Sequence, residues 1–384
     1  MFHCNSHLLR SLRRRLLAKF FHLKHPGLQK GMNITMTSRE RVLSACRHQK
    51  TDRVPIDFFS DAKTEERLIR DLNLPDREAL LERLHVDCRW LQPFFTIGAP
   101  HFDENGNPQD LFGVQSEMSA LPNGAKFTRF TRRPLQEAQT AEDILSYPWP
   151  GEEDVFIHDF SRQIEMYGDK YALITGPWTP IFCQAEFMRG DENLLSDLVL
   201  NPEMAKVIFE KISDYFFAVA AAQFEALKGK ADIFFTGDDF ASQKGLMMSR
   251  AMWREFLFPH YKRLFSLAKD YGFLCMMHSC GAVSDLYPDF IEAGVDIIDP
   301  VQVGAAGMEI EKLKSAFGSR VAFHGAIDVQ HLLPHEDPET VRRETLRTMR
   351  TLAQGGGYIL CSTHELQMDI PTENVLAAYD AQFL

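Results

Sequence analysis

The sequence predicts an α/β protein built as a single (β/α)8 barrel of the TIM type. Three observations point there. Short, continuous apolar runs recur along the chain, as strands buried on both faces require. Amphipathic stretches with helical periodicity separate them. Polar residues of chemical interest sit at the carboxyl ends of those runs, where a parallel barrel carries its active site. The 384 residues, 45% hydrophobic and 25% charged, suit a globular chain with a sizeable core.

In order, Ser38 is positioned to cap a helix running through Cys46, with Glu40 in its first turn. "RVPIDFF" at Arg53 reads as the first strand, and "VDCRWL" near Asp87 as a further one. The remaining strands are "YALITGPW" at Tyr171, "ADIFFTGDD" at Ala231, "FLCMMHSC" at Phe273, "GVDIIDPV" at Gly294, "RVAFHGAID" at Arg320 and "GYILCSTH" at Gly357. The long helical stretch from Glu192 to Gly229 breaks at Asn201-Pro202. Residues 92–135 interrupt the rhythm. Alternating runs flank Pro122-Asn123-Gly124, which predicts an inserted hairpin near one mouth of the barrel. The Gly355-Gly356-Gly357 run precedes a strand, so it is a turn and not a phosphate cradle.

The first 35 residues differ from the rest. They carry Arg10, Arg13, Arg14, Arg15, Lys19, Lys24 and Lys30 and no acid. A basic amphipathic helix against a membrane or partner is one reading, and a targeting peptide another. We favour a third, an extension upstream of a start at Met32 or Met36. Residues 1–36 are therefore set apart from a barrel over 37–384. The formal charge of -11 gives no basic footprint for nucleic acid. No run of about 20 apolar residues predicts a membrane span. Seven widely spaced cysteines suggest free thiols and a cytoplasmic protein.

The strand ends supply the candidate chemistry. They are Asp57, Asp238, Asp239, His278, Cys280, Asp299, His324, Asp328, Cys361, His364 and Glu365. In "CMMHSCG", His278 and Cys280 stand at i and i+2 and so share a strand face. An imidazole and a thiolate so placed can hold zinc, given a third ligand. His364, Cys361, Asp239 and Glu365 are candidates for that place. The bland alternative is a histidine bonded to a neighbouring acid beside a buried thiol. For Asp238-Asp239 the alternatives are a base, a metal ligand or a cation clamp against a helix cap.

These residues together resemble the uroporphyrinogen decarboxylase superfamily, which includes zinc-dependent, corrinoid-linked methyltransferases. The resemblance rests on "RVPIDFF", "LITGPWTP", "TGDDFASQKGLMMS", "MHSCGAVSDLYPDFIEAGVDIIDPVQ", "FHGAIDVQ" and "GGGYIL…DIPTENVLAAYDA". It runs from about Thr37 to the C-terminus. It implies a barrel, in agreement with the strand count. True decarboxylases carry an early Arg-Gln-Ala-Gly-Arg-Tyr segment for substrate carboxylates. "RVPIDFFSDAKTEE" stands there instead.

The methyltransferase branch implies zinc on His278, Cys280 and a distant ligand. That ligand falls at His364, counted back from Pro371-Thr372-Glu373-Asn374, with Cys361 as the alternative. Asp239 and Glu365 are then expected to orient substrate or complete the metal shell. Asp238, Trp178, His324 and Gln302 are expected to contact substrate. The implied reaction moves a methyl group between a small methylated substrate or corrinoid and a corrinoid, folate or thiol acceptor. A corrinoid protein is the implied partner. The alternatives are a cofactor-free decarboxylase of porphyrin biosynthesis, with Asp57 polarising the substrate, and a non-catalytic corrinoid or tetrapyrrole carrier.

Overall fold

Seven parallel strands form one sheet, and an eighth segment closes it. In this computed structural model residues 36–94, 101–120 and 126–384 are described. The sheet strands are β1 (Cys88–Trp90), β6 (Ala172–Thr175), β7 (Ile233–Gly237), β8 (Leu274–His278), β9 (Ile297–Val301), β10 (Ala322–Ile327) and β11 (Tyr358–Ser362). They pair in that order. The remaining strands, β2 (His101–Phe102), β3 (Pro108–Gln109), β4 (Gln115–Ala120) and β5 (Lys126–Arg132), lie in the segment between β1 and β6. The basic N-terminal segment falls outside the described residues.

"RVPIDFF" takes the eighth position but forms only one bridge, Ile56 to Leu360. Asp57 N–H donates to the Leu360 carbonyl at 2.8 Å, and Asp87 N–H to the Ile56 carbonyl at 2.7 Å. The segment therefore joins β11 to β1. Pro55 has no N–H to give a ladder, which keeps the pairing short. Asp87 fixes the junction from within. Its buried carboxylate accepts from Arg41, Arg53 and the Ile56 N–H, each at 2.7–2.9 Å.

The expected cap moves by one residue. Thr37, not Ser38, caps the helix Ser38–Cys46, because its side chain accepts from the Glu40 N–H while Glu40 reaches back to the Thr37 N–H. That is a capping box, in which the two donors are satisfied reciprocally. Thr37→Ala is expected to cost about 1 kcal/mol, read as a lower thermal midpoint with unchanged secondary structure by circular dichroism.

The inserted segment carries two small antiparallel pairs, β2 with β3 and β4 with β5. The predicted turn at residues 122–124 lies outside the described residues. A lone hairpin is marginal in water. Here Phe130 packs on Phe187 at 4.8 Å, which seats β5 on the helix Ile181–Arg189 that follows β6.

Strand alternation sorts the core. Leu173, Phe234, Cys275, Met277, Ile298, Phe323 and Leu360 belong to the larger cluster that packs with the helices. Ile174, Ile233, Met276, Ile297, Ala322 and Ile359 form a second cluster inside the barrel. Residues two further along each strand share that inward face. They include His278, Asp299, His324 and Cys361, so the barrel's own period-two pattern makes the floor of the site.

Candidate active site

Four inward side chains at the carboxyl ends of β8, β9, β10 and β11 meet above the apolar layer. Asp299 is central. One carboxylate oxygen accepts from His278 Nδ1 at 2.7 Å, and the other from His324 Nδ1 at 2.5 Å. His324 Nε2 reaches Asp57 at 3.2 Å. Asp57 also accepts from the Trp90 indole N–H at 3.0 Å and from the Phe58 N–H at 2.8 Å. A continuous chain therefore runs from Trp90 through Asp57, His324 and Asp299 to His278.

Charge follows from that chain. Carboxylates only accept, so a histidine lying between two of them holds a proton on each nitrogen. Burial alone would depress His324, but Cys361, Asp299 and Asp57 outweigh it and raise its pKa well above the usual value. Burial likewise pushes the Asp299 carboxyl up, yet the His324 charge and the two imidazole hydrogen bonds hold it well below the usual range.

His278 turns its other nitrogen to the cavity. Nε2 lies 3.5 Å from Cys280 Sγ and 3.9 Å from an Asp239 oxygen. The ligand atoms of Asp239, His278 and Cys280 lie within 4.8 Å of one another. The same Asp239 carboxylate accepts from the Cys280 N–H at 2.9 Å, which ties the end of β7 to the loop after β8. Gly237 pairs with His278, and a Cβ there would collide with the histidine. The glycine is what lets the two strands end so close together. Beyond Cys280, the Gln302 amide oxygen accepts from the Gly281 N–H at 2.6 Å and holds the turn.

The cavity above these groups is about 250 Å³, walled by Phe59, Trp90, Trp178 and Phe235 and edged by His364 and Glu365. His364 faces His278 across it, with ring centroids 6.4 Å apart. It stands outside the converging trio. Asp239, which the sequence also offers for the third place, is the candidate that converges on His278 and Cys280. Cys361 is drawn elsewhere, since its strand position aims it into a buried group with Asp57 and His324. It does not join His278 and Cys280.

Three expected substrate contacts have other duties. Asp238 accepts from the Phe182 and Cys183 N–H groups at 2.6 and 2.7 Å and from the Tyr261 hydroxyl. It thus caps the helix Ile181–Arg189, and burial raises its pKa to about 6. Gln302 holds the Gly281 turn, and His324 is held between two acids. Asp57 is held by His324, Trp90 and Phe58 rather than presented to the cavity. Trp178 lines the cavity, as do Asp238 and His324 from their held positions.

Comparison with known proteins now places the chain. The family described as uroporphyrinogen decarboxylase (URO-D) matches residues 167–382. The chain is 30% identical over 357 residues to a methylated-thiol–coenzyme M methyltransferase of Methanosarcina mazei, covering 89% of this chain and 88% of that protein. The chain belongs to the uroporphyrinogen decarboxylase family. It is an enzyme of that family, and more similar to this methyltransferase than to the uroporphyrinogen decarboxylase of Anaeromyxobacter dehalogenans. The latter shares 24% identity over 367 residues, 89% of this chain and 97% of that protein. Among solved structures, a methyltransferase from Methanosarcina mazei superposes with a TM-score of 0.66 at 17% identity, covering 91% of this chain and 99% of that one. That likeness carries the barrel fold. Among the described residues no helix is long and apolar enough to cross a membrane.

One residue of this family member escaped the sequence reading. Glu186 lies on the apolar helix "IFCQAEFMR", and that isolated acid was the available signal. Burial, with Asp238, Asp191 and Asp239 nearby, raises its pKa to about 8. The folded state therefore binds a proton that the unfolded chain releases near pH 4.5. The group costs stability as pH rises from there through about 8. Glu186→Gln is expected to melt like the parent at pH 4.5 and higher than the parent at pH 8. A melting difference that does not grow with pH contradicts this.

Proposed function

We propose that the protein is a metal-dependent methyltransferase in which His278, Cys280 and Asp239 hold zinc. The observation that carries the reading is the 3.5 Å separation of His278 Nε2 and Cys280 Sγ. Zn–N and Zn–S bonds of usual length at a tetrahedral angle put such atoms about 3.5 Å apart. The donor set also suits the ion, since imidazole, thiolate and carboxylate are all zinc ligands. Asp299 supports the assignment. A carboxylate on the far nitrogen fixes the tautomer and the ring orientation that a metal-binding histidine needs.

Bound zinc would keep a thiol substrate as thiolate near neutral pH. The chain's own residues do the rest. Asp299 aims His278, and Asp239 anchors the Cys280 loop. The aromatic walls exclude water from the transferring methyl group. His364 and Glu365 border the remaining side of the cavity, where they orient substrate. The methylated-thiol relative supports a small methylated donor and a thiol acceptor, with a corrinoid protein as the partner we favour. The decarboxylase alternative has less support. Among the described residues that line the cavity none is Lys or Arg, and His324 is already held between two acids, so carboxylates of a tetrapyrrole would find little to pair with.

Metal analysis of the purified, full-length protein tests the proposal, with methyl transfer from a methylated thiol as the second readout. One equivalent of zinc is expected, lost on chelation together with activity and restored with it. Protein that transfers methyl groups at full rate after chelation, with no metal remaining, overturns it.

A further inference from the structure

The cavity has a chemical bias that the metal-capable trio does not explain. Trp178 stacks on Phe235 with centroids 5.7 Å apart, and Phe59 on Trp90 at 5.9 Å. Trp90 meets Phe235 edge-on at 4.8 Å, so the four rings make one continuous wall. The Trp178 and Phe235 centroids lie 6.1 and 5.9 Å from the His278 ring. Phe59 lies 6.3 Å from the His364 ring on the other side. Aromatic surface thus flanks the place where a transferring methyl group must sit.

The cavity is acidic on balance, since its charged histidine, His324, is flanked by Asp57 and Asp299. Asp239 and Glu365 line it, together with Asp238 and Asp299, and no described Lys or Arg does. Asp238 and Asp299 are spent on the helix cap and the two histidines. A carboxylate, sulfonate or phosphate would find no Lys or Arg there among the described residues. A neutral methyl compound would gain apolar contact alone. A methylated cation gains that contact, the attraction of the aromatic wall, and the Glu365 rim carboxylate together.

We propose that this cavity binds a methylated onium ion, a sulfonium or a quaternary ammonium, as the methyl donor. The transfer balances without an added acid. The acceptor sulfur forms its bond to the methyl carbon and its thiol proton is released to water. The carbon–sulfur or carbon–nitrogen bond of the onium breaks with its electron pair, which leaves a neutral thioether or amine. The transfer step rests on the methyltransferase reading. The binding preference stands on the cavity alone.

Titration of the metal-loaded protein with choline and with its neutral isostere 3,3-dimethylbutan-1-ol tests the preference, followed by calorimetry and tryptophan fluorescence. Choline is expected to bind roughly tenfold more tightly. Trp178→Leu is expected to erase most of that ratio and Trp178→Phe to keep part of it. Glu365→Gln, a rim change independent of the wall, is expected to weaken choline and leave the alcohol unchanged. Trimethylsulfonium against tetramethylammonium then decides between the two onium classes.

Equal binding of choline and the alcohol overturns the inference, as does a ratio that survives both Trp178→Leu and Glu365→Gln. Repeating the titration on chelated protein separates the two proposals. Absent zinc with the cation preference intact counts against the metal reading only. Present zinc with no preference counts against this inference only.

Discussion

Cys280→Ser is expected to leave the fold intact while metal content falls from one equivalent to below about a tenth, and kcat/KM by at least about 10³-fold. The half-buried Cys280 follows β8 in the turn that the Asp239 and Gln302 side chains hold through the Cys280 and Gly281 N–H groups. Those anchors use backbone donors, which serine retains. Little core volume is lost, so the change in stability should stay within about 0.5 kcal/mol, as for substitutions away from the core. The chemistry changes far more. A thiol gives up its proton to a metal, whereas a serine hydroxyl at the same place is a poor ligand near neutral pH. His278 and Asp239 would be left as two ligands, short of the three that a catalytic site uses. Zinc content, turnover with a methylated thiol and a thermal melt, measured on one preparation, check the result. Full zinc and full turnover in the variant would mean that Cys280 is not a ligand.

Why the His278–Cys280 pair stands out in the sequence, while Asp239 is only one of four candidates beside it, follows from the range of each signal. The pair is local. Positions i and i+2 on a strand share a face, although Cys280 itself lies in the turn just past β8. The same rule places Asp299, His324 and Cys361 inward, and the strands that carry them could be seen as apolar runs. What period alone cannot give is height and partner. His364 lies just past the end of β11 and is exposed, so its ring faces His278 from 6.4 Å instead of closing on Cys280. Asp239 follows β7, the direct neighbour of β8, and that adjacency is a property of the closed sheet. The His324–Asp57 contact spans 267 positions and exists only because "RVPIDFF" closes the barrel. That closure was itself only partly legible, since Pro55 reduces an expected strand to a single bridge.

The bland alternatives and the sharp ones also turn out to be compatible at single residues. His278 does bond a neighbouring acid, as a structural histidine would. Because that acid takes Nδ1, the bond frees Nε2 to face Cys280, so the structural contact is what presents the candidate ligand. Asp238 and Asp239 divide the alternatives between them. The first caps a helix with both oxygens engaged, and the second stands exposed beside His278.

Asp299→Asn is expected to damage both metal binding and the fold, and the two effects can be separated. The carboxylate is the shared acceptor of two imidazole N–H groups, at 2.7 and 2.5 Å. An asparagine keeps one oxygen and replaces the other with a donor, so at least one histidine loses its acceptor. If His278 loses it, the ring is no longer held with Nε2 toward Cys280. Loss of such an outer carboxylate costs about 10–100-fold in metal affinity. The other histidine carries the stability term. His324 is buried and protonated between Asp299 and Asp57, and removing one member of a buried charge pair costs about 3–5 kcal/mol. Trp90 and Asp57 remain as partial support at the far end of the chain. A His324→Gln background distinguishes the two losses, because it removes the buried charge in advance. In that background Asp299→Asn should cost much less stability yet still weaken zinc by the same factor. Denaturant unfolding and competition with a chromogenic chelator give the two numbers. If zinc affinity is unchanged in both backgrounds, the 2.7 Å contact does not orient a ligand, and His278 is a core histidine after all.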